Sequence, residues 1–182
     1  MALKRSHPKI KHDAFVSAYD CWDTRHRAVA KHRRALLRPL RGKILEIGIG
    51  TGLDLPCYRK KADVTACDIS GGILKQAVAR LSELKDHRIK LVKMDAHRLL
   101  FLNETFDNVV GTFLFCSVAA PGQVAREIKR VLKPGGRFVT LGYHNDRVLP
   151  VLRRAGLKIV LAKELPSGDR PIGQIIAARA AS

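Results

Sequence analysis

One stretch constrains this chain more than any other: Lys43 to Pro56, KILEIGIGTGLDLP. Ile44, Leu45 and Ile47 around Glu46 form the short apolar run of a strand buried on both faces. The run breaks into Gly48-x-Gly50-x-Gly52 and resumes with Leu53, Asp54 and Leu55 as a first helical turn. Three glycines in five residues let the backbone turn sharply and present amide N–H groups above the strand's carboxyl end. This is a site for a nucleotide-like ligand; the bland alternative is a strand–turn–helix whose glycines serve packing alone. Spacing narrows the ligand. A dinucleotide fingerprint G-x-G-x-x-G would need a third glycine where Leu53 stands, and no phosphate loop ending in Gly-Lys-Ser/Thr is present. Ile47 to Pro56 holds no basic residue, whereas Glu46 and Asp54 suit a ligand that carries positive charge.

The rest of the chain alternates strand and helix. Asp13 to Leu37 is helical in pattern, with Phe15, Tyr19 and Trp22 on one stripe and Val29, Leu36 and Leu37 on a second. Asp23 or Thr24 could cap a separate second helix, and Pro39 ends the segment. Its opposite face, including Arg25, Arg27, Lys31, Arg33, Arg34 and Arg38, reads as a dense basic surface. Strands are expected at Val64–Asp68, Ile89–Met94, Phe106–Gly111, Arg137–Leu141, Leu157–Ala162 and Gly173–Ala178. Helices fall between them: one capped by Ser70, one over Val124–Leu132 and a short one over Val148–Ala155. Pro134-Gly135-Gly136 makes a tight turn into the fifth strand. Such alternation means an α/β domain with a mostly parallel sheet.

With 182 residues the chain makes one domain with a substantial core. Its longest uncharged apolar stretch, Val109 to Pro121, falls short of the ~20 residues of a membrane span. The first residues, MALKRSHPKIKHDAF, lack the apolar centre of a signal peptide. Cys21, Cys57, Cys67 and Cys116 are scattered with no C-x-x-C pair, so free thiols in the cytoplasm are expected, and no Cys/His cluster calls for a metal. Charge is the unusual quantity: 34 basic against 16 acidic residues give a net +18. Residues 1–43 hold twelve of the basic and three of the acidic side chains, so half the excess lies on the first quarter. Such a field attracts an anionic membrane surface or a nucleic acid, and it also fits a merely solvated face.

In an open parallel sheet the ligand lies across the carboxyl ends of the strands. The first strand offers Glu46 and the glycines. The second ends in Asp68, sixteen residues past Gly52, where a carboxylate can accept ribose hydroxyls, with Ile69 beside it to pack on an adenine face. The third ends in Asp95-Ala96, placed to accept from an exocyclic amine, and the fourth runs into Thr112-Phe113-Leu114-Phe115-Cys116-Ser117. A lone Asp at a strand end is more often a cap or turn residue, but four successive strand ends carry a fitting group in order.

Taken together, LEIGIGTGLDLP, VTACDIS, KMDAHRL, FDNVVGTFLFCSV and REIKRVLKPGGRFV resemble motifs I to VI of the class I S-adenosylmethionine (SAM)-dependent methyltransferases. GIGTGLDLPCY, FLFCSV and the L-K-P-G-G turn most resemble the ubiquinone/menaquinone and phospholipid N-methyltransferase-like branch, methyltransferase type 11. That resemblance implies a Rossmann-like fold, a seven-stranded mostly parallel sheet with an antiparallel last strand and helices on both faces. It divides the chain into a basic arm and lid helices over 1–42 and a SAM-binding domain over 43–182, compact as one unit. By resemblance, Glu46, Gly48, Gly50 and Gly52 hold the methionine end of SAM and Asp68 takes the ribose. Ile69, Asp95 and Ala96 take the adenine, Thr112 lines the methyl-donor pocket, and Tyr19 belongs to the lid. Two departures stand out. Gly142-Tyr143-His144-Asn145 replaces the polar pair many members have after the fifth strand, and only about fifteen residues separate Leu141 from Leu157, where lipid- and quinone-methylating relatives tend to carry a longer insertion.

The implied reaction is methyl transfer to a small molecule or lipid by in-line displacement, which depends mostly on alignment in a dry site. An oxygen acceptor also wants a base, for which Tyr143 and His144 are the candidates. Nothing adjacent in sequence activates Cys116 as a nucleophile. The basic N-terminal helices, with Trp22 or Phe15, would make peripheral contact with an anionic membrane. The same helices fit an RNA methyltransferase, against which stands TFLFCS in place of an Asn/Asp-Pro-Pro-aromatic motif. A third reading is a non-catalytic module that binds SAM or nucleic acid.

Overall fold

A computed structural model describes residues 27–84, 88–142, 147–167 and 170–180. They form α1 (Arg27–Leu37), β1 (Lys43–Ile47), a 3-10 turn (Leu55–Cys57), β2 (Asp63–Asp68), α2 (Gly71–Ser82) and β3 (Arg88–Lys93). After these come β4 (Phe106–Val110), α3 (Pro121–Val131), β5 (Leu132–Gly142), α4 (Val148–Arg154), β6 (Leu157–Ser167) and β7 (Arg170–Ala180). The apolar run of β1 is central. It pairs in parallel with β2 and β4, so Glu46 sits between Ala66 and Val110. The strand order is β3-β2-β1-β4-β5-β7-β6, and β7 runs antiparallel to both neighbours. Sequence order reverses between β1 and β4, which opens a crevice above their carboxyl ends.

Alternation along the strands divides the core between the two faces. Leu45, Val109 and Phe138 pack with Val124 and Ile128 of α3 and Leu152 of α4. Ile44, Val110 and Val139 pack with Leu37 of α1 and Leu74 of α2. Adjacent strand residues point to opposite faces, so near-continuous apolar runs serve both layers. Ser70 caps α2 as expected, its Oγ accepting from Ile73 N at 3.3 Å.

Four local differences have physical causes. The helical turn expected at Leu53–Leu55 is a series of tighter turns: Gly52 N–H bonds Ile49 O, Leu55 N–H bonds Gly52 O and Cys57 N–H bonds Asp54 O. Pro56 brings no N–H to continue a helix, and Tyr58 returns to extended backbone. The turn at Pro134 lies inside β5 as a bulge, because Phe106 pairs with Leu132 and Asn108 with Arg137. β6 and β7 outrun their expected ends; Lys163, Glu164 and Leu165 pair with Ile175, Gln174 and Gly173 although no apolar alternation marks them. Finally, Arg33 does not belong to a solvated basic face. Val29, Arg33 and Leu37 share one buried face of α1, and Arg33 is 5% exposed, because its charge has a partner beneath it.

Candidate active site

The glycine loop is held by β2. Gly48 N–H and Ile49 N–H both donate to Cys67 O, at 2.8 and 3.0 Å. Gly50 N–H donates to Asp68 Oδ2 at 3.1 Å, and Ser70 N–H donates to Asp68 Oδ1 at 2.9 Å. Asp68 therefore clamps the loop to the second strand end while each oxygen retains a lone pair for a further donor. Gly52 lies at φ 87° against α2, where a Cβ would come within 3.3 Å of Ala77 Cα. Ile69 stands half exposed beside the clamp.

Beneath the loop is a buried polar cluster. Tyr58 Oη donates to Glu46 Oε2 at 2.8 Å, and Thr112 Oγ1 donates to Asp54 Oδ2 at 2.7 Å. Arg33 forms a buried ion pair with Asp54 and donates to Thr112 Oγ1 at 3.3 Å. Its guanidinium also lies 5.8 Å from the Phe113 ring centroid. Burial, with the nearby negative charge of Asp54, pushes the Glu46 carboxyl well above its usual range. Burial acts the same way on Asp54, but the charge of Arg33 and the hydrogen bonds around the carboxylate, Thr112 among them, together outweigh it and hold that carboxyl low. The cluster thus favours the protonated form of Glu46 and the ionised form of Asp54, whose charge Arg33 balances. Phe113, next to Thr112, adopts φ 50°, a left-handed conformation that bulky residues avoid. Its N–H bonds Leu141 O at 2.6 Å, which ties the end of β4 to β5.

At the third strand end Asp95 Oδ1 accepts from His97 N at 2.8 Å and from His97 Nδ1 at 2.7 Å. Partial burial raises this carboxyl, and the His97 hydrogen bonds more than offset it, leaving it below its usual range. His97 Nε2 in turn accepts from Ala120 N–H at 3.2 Å, which fixes the proton on Nδ1. The described thiols stay protonated at neutral pH where burial acts: Cys67 is pushed up to about 12 and Cys57 to about 11. Exposed Cys116 points its Sγ at Phe113 O, 2.9 Å away.

The structure thus brings Glu46, Gly48, Gly50, Gly52, Asp68, Ile69, Asp95, Ala96 and Thr112 to the carboxyl ends of β1 to β4. Glu46 is fully buried under the loop, and Thr112 turns its hydroxyl into the same buried cluster. Tyr19, Tyr143 and His144 lie outside the described residues. Arg33, Tyr58 and His97 are site residues that the sequence reading missed. His97 had a signal, standing two residues after Asp95 within KMDAHRL, and Tyr58 closes the GLDLPCY segment. Arg33 had none. Among the described residues no group of His, Cys, Asp and Glu is arranged to hold a metal ion.

Known proteins share both the sequence pattern and the fold. A methyltransferase-domain family profile matches residues 45–140. Phosphatidylethanolamine N-methyltransferase of Cereibacter sphaeroides is 41% identical over 103 residues, covering 56% of this chain and 51% of that protein. Demethylmenaquinone methyltransferase of Clavibacter sepedonicus is 35% identical over 126 residues, 69% of this chain and 50% of its own length. The chain spans about half the length of these relatives. Among solved structures, a SAM-dependent methyltransferase from Aquifex aeolicus superposes with a TM-score of 0.68 at 20% identity, covering 82% of this chain and 87% of that one. Geranyl diphosphate methyltransferase in complex with SAM gives 0.69 at 16% identity, covering 85% of each chain. The profile takes in the glycine loop, the Asp68 clamp, Asp95 and β4 in one unbroken match, and with it this chain belongs to the SAM-dependent methyltransferase family.

Proposed function

We propose that the chain binds SAM across the carboxyl ends of β1 to β4 and directs its methyl group to a small-molecule or lipid acceptor. The observation that carries this reading is the Asp68 clamp: a nearly buried carboxylate that fixes the glycine loop and keeps acceptor capacity toward the crevice. The residues fit the group. Gly48 and Gly52 take φ 72° and 87°, which side chains rarely adopt, and a Cβ would lie 3.2 Å from Leu114 Cδ1 at the first and 3.3 Å from Ala77 Cα at the second. Bound SAM supplies an electrophilic methyl on a sulfonium. For its part, the chain would hold the ribose at Asp68 and the adenine at Ile69, Asp95 and Ala96. The Gly48–Gly52 loop would seat the methionine end above buried Glu46, with Thr112 at the fourth strand end. Asp68 and Asp95 give the crevice negative potential, which favours a cationic ligand. Alignment of acceptor and methyl in a dry site does most of the work, and Tyr143 or His144 would take a proton from an oxygen acceptor.

Lipid and quinone acceptors are supported by the names of the two relatives, a phosphatidylethanolamine N-methyltransferase and a demethylmenaquinone methyltransferase. The same proposal gives residues 1–42 the role of arm and lid, Tyr19 included, and a cytoplasmic location with peripheral contact to an anionic membrane. Support comes from the charge concentrated over residues 1–43 and from the fact that no described helix is long and apolar enough to cross a bilayer. Calorimetric titration with SAM and S-adenosylhomocysteine tests the cofactor reading, with Asp68→Ala and Asp68→Asn as controls. Wild type should bind both, and both variants should lose at least about tenfold in affinity, the scale of a charge-assisted hydrogen bond. A folded wild type that binds neither would overturn the reading. Methyl transfer to anionic liposomes or quinols then separates the acceptor classes.

A further inference from the structure

The amino ends of the strands, opposite the glycine loop, carry the other charge. Arg41 comes from the α1–β1 connection, Lys43 from the start of β1, Arg59, Lys60 and Lys61 from the turn before β2, and Lys133 from the bulge in β5. These six side chains line one open cleft of about 450 Å3. Asp63 and Asp107 also line it, but Asp107 is already engaged. Its Oδ1 accepts from Lys133 Nζ and its Oδ2 from Lys43 N, each at 2.8 Å. The turn is closed by Ala62 N–H on Arg59 O at 3.0 Å, with Lys61 at φ 66°. Three consecutive basic residues, all exposed, are therefore grouped on one reverse turn beside the cleft. Gly42, at φ 74°, lines the cleft at the point where a Cβ would strike Asp107.

We propose that this cleft is a binding site for a phosphate ester carrying two or more negative charges, distinct from the methyl-transfer site and independent of its assignment. The lining has an excess of four positive charges, drawn from three separate segments of the chain. Its volume falls within the ~300–1,000 Å3 of small-molecule sites. Arginine offers a planar fork and lysine a point charge, and both are phosphate-binding groups. A soluble ester and a lipid headgroup share this chemistry, and geometry favours the soluble one. β1 has five residues and so spans about 16 Å. A bilayer held against the cleft would lie below the sheet, with the glycine loop turned away from it.

The test is calorimetric titration of the full chain with inorganic pyrophosphate at about 0.15 M salt, where diffuse surface charge is largely screened. Two double variants remove equal charge: Arg59→Gln/Lys61→Gln in the cleft, and Lys158→Gln/Lys163→Gln on the exposed edge strand β6. Circular dichroism checks that both stay folded. The cleft variant should lose about tenfold or more in pyrophosphate affinity, two charge-assisted contacts' worth, while the edge variant stays within about twofold. Equal losses in both variants, or no binding by the wild type, would overturn the site. Sedimentation with phosphatidylglycerol vesicles distinguishes the source. Vesicle binding abolished only by the cleft variant would assign the phosphate to a lipid headgroup and overturn the soluble ester. Vesicle binding that both variants keep leaves the soluble ester standing.

Discussion

Glu46 and Asp54 are two carboxyls within one buried cluster, and their surroundings drive them apart. Burial and the charge of Asp54 raise the Glu46 carboxyl above its ordinary 4.5, so the folded chain keeps a proton that the unfolded chain releases. The stability tied to that proton is complete below pH 4.5 and declines as pH rises through the folded value. Asp54 behaves in the opposite sense. Against the effect of burial, Arg33 and the hydrogen bonds to the carboxylate together lower it below 3.8, so its contribution holds above that pH and is lost as pH falls through the folded value. Glu46→Gln is neutral at every pH and keeps an oxygen that can accept from Tyr58. Its urea midpoint should therefore gain on that of the wild type as pH rises above 4.5. A constant difference between the two proteins across that range would show that Glu46 does not hold its proton. Asp68 was legible because it stands at the end of an apolar run at a telling distance from the glycines. The Arg33–Asp54 pair was not. Arginines are mostly exposed, and a pattern of periodicity has no means of pairing one with an aspartate 21 residues later in a loop.

Among elements, the loop between β1 and the 3-10 turn depends on Gly52. Any other residue there would take φ 87° with its Cβ 2.6 Å from Leu55 Cδ1 and 3.3 Å from the backbone of α2. Leu55 can swing aside, but the helix backbone cannot. Gly52→Ala should cost about 2 kcal/mol in urea denaturation and weaken SAM binding in calorimetry, because the displaced loop draws Gly50 N–H away from Asp68. Unchanged SAM affinity would mean that the loop does not carry the cofactor. The strands were readable where apolar runs met turn signals. The 3-10 turn and the bulge in β5 were not, since each answers to a proline or glycine acting against a tertiary neighbour: Gly136, for instance, is enclosed by Lys133 O and Asp107 O. The extra length of β6 was invisible for another reason. Its exposed Val160 to Glu164 make no alternating face and are held in the sheet by backbone pairing with β7.

For the whole molecule, the α/β class followed from the alternation of elements, and the antiparallel last strand came only with the family resemblance. Charge totals gave the surplus but not its arrangement. Glu46, Asp68 and Asp95 stand at the carboxyl ends of the strands, while six basic side chains converge at the amino ends around Asp63 and Asp107, an arrangement that appears only once the connections are placed in space. The place of β7 between β5 and β6 has a consequence for synthesis. While the chain emerges from a ribosome, every strand through β6 can be present and the sheet still lacks its keystone. The outer edge of β5 stays open, and β6 has no neighbour until residues 170–180 arrive. An open apolar edge invites pairing with other nascent chains. A chain stopped after Ser167 should consequently be degraded by brief protease exposure or sediment as aggregate, where the full chain resists. Completion of the domain is thus timed by its final strand, and any helper that shields nascent chains would be needed until that strand slides into the gap.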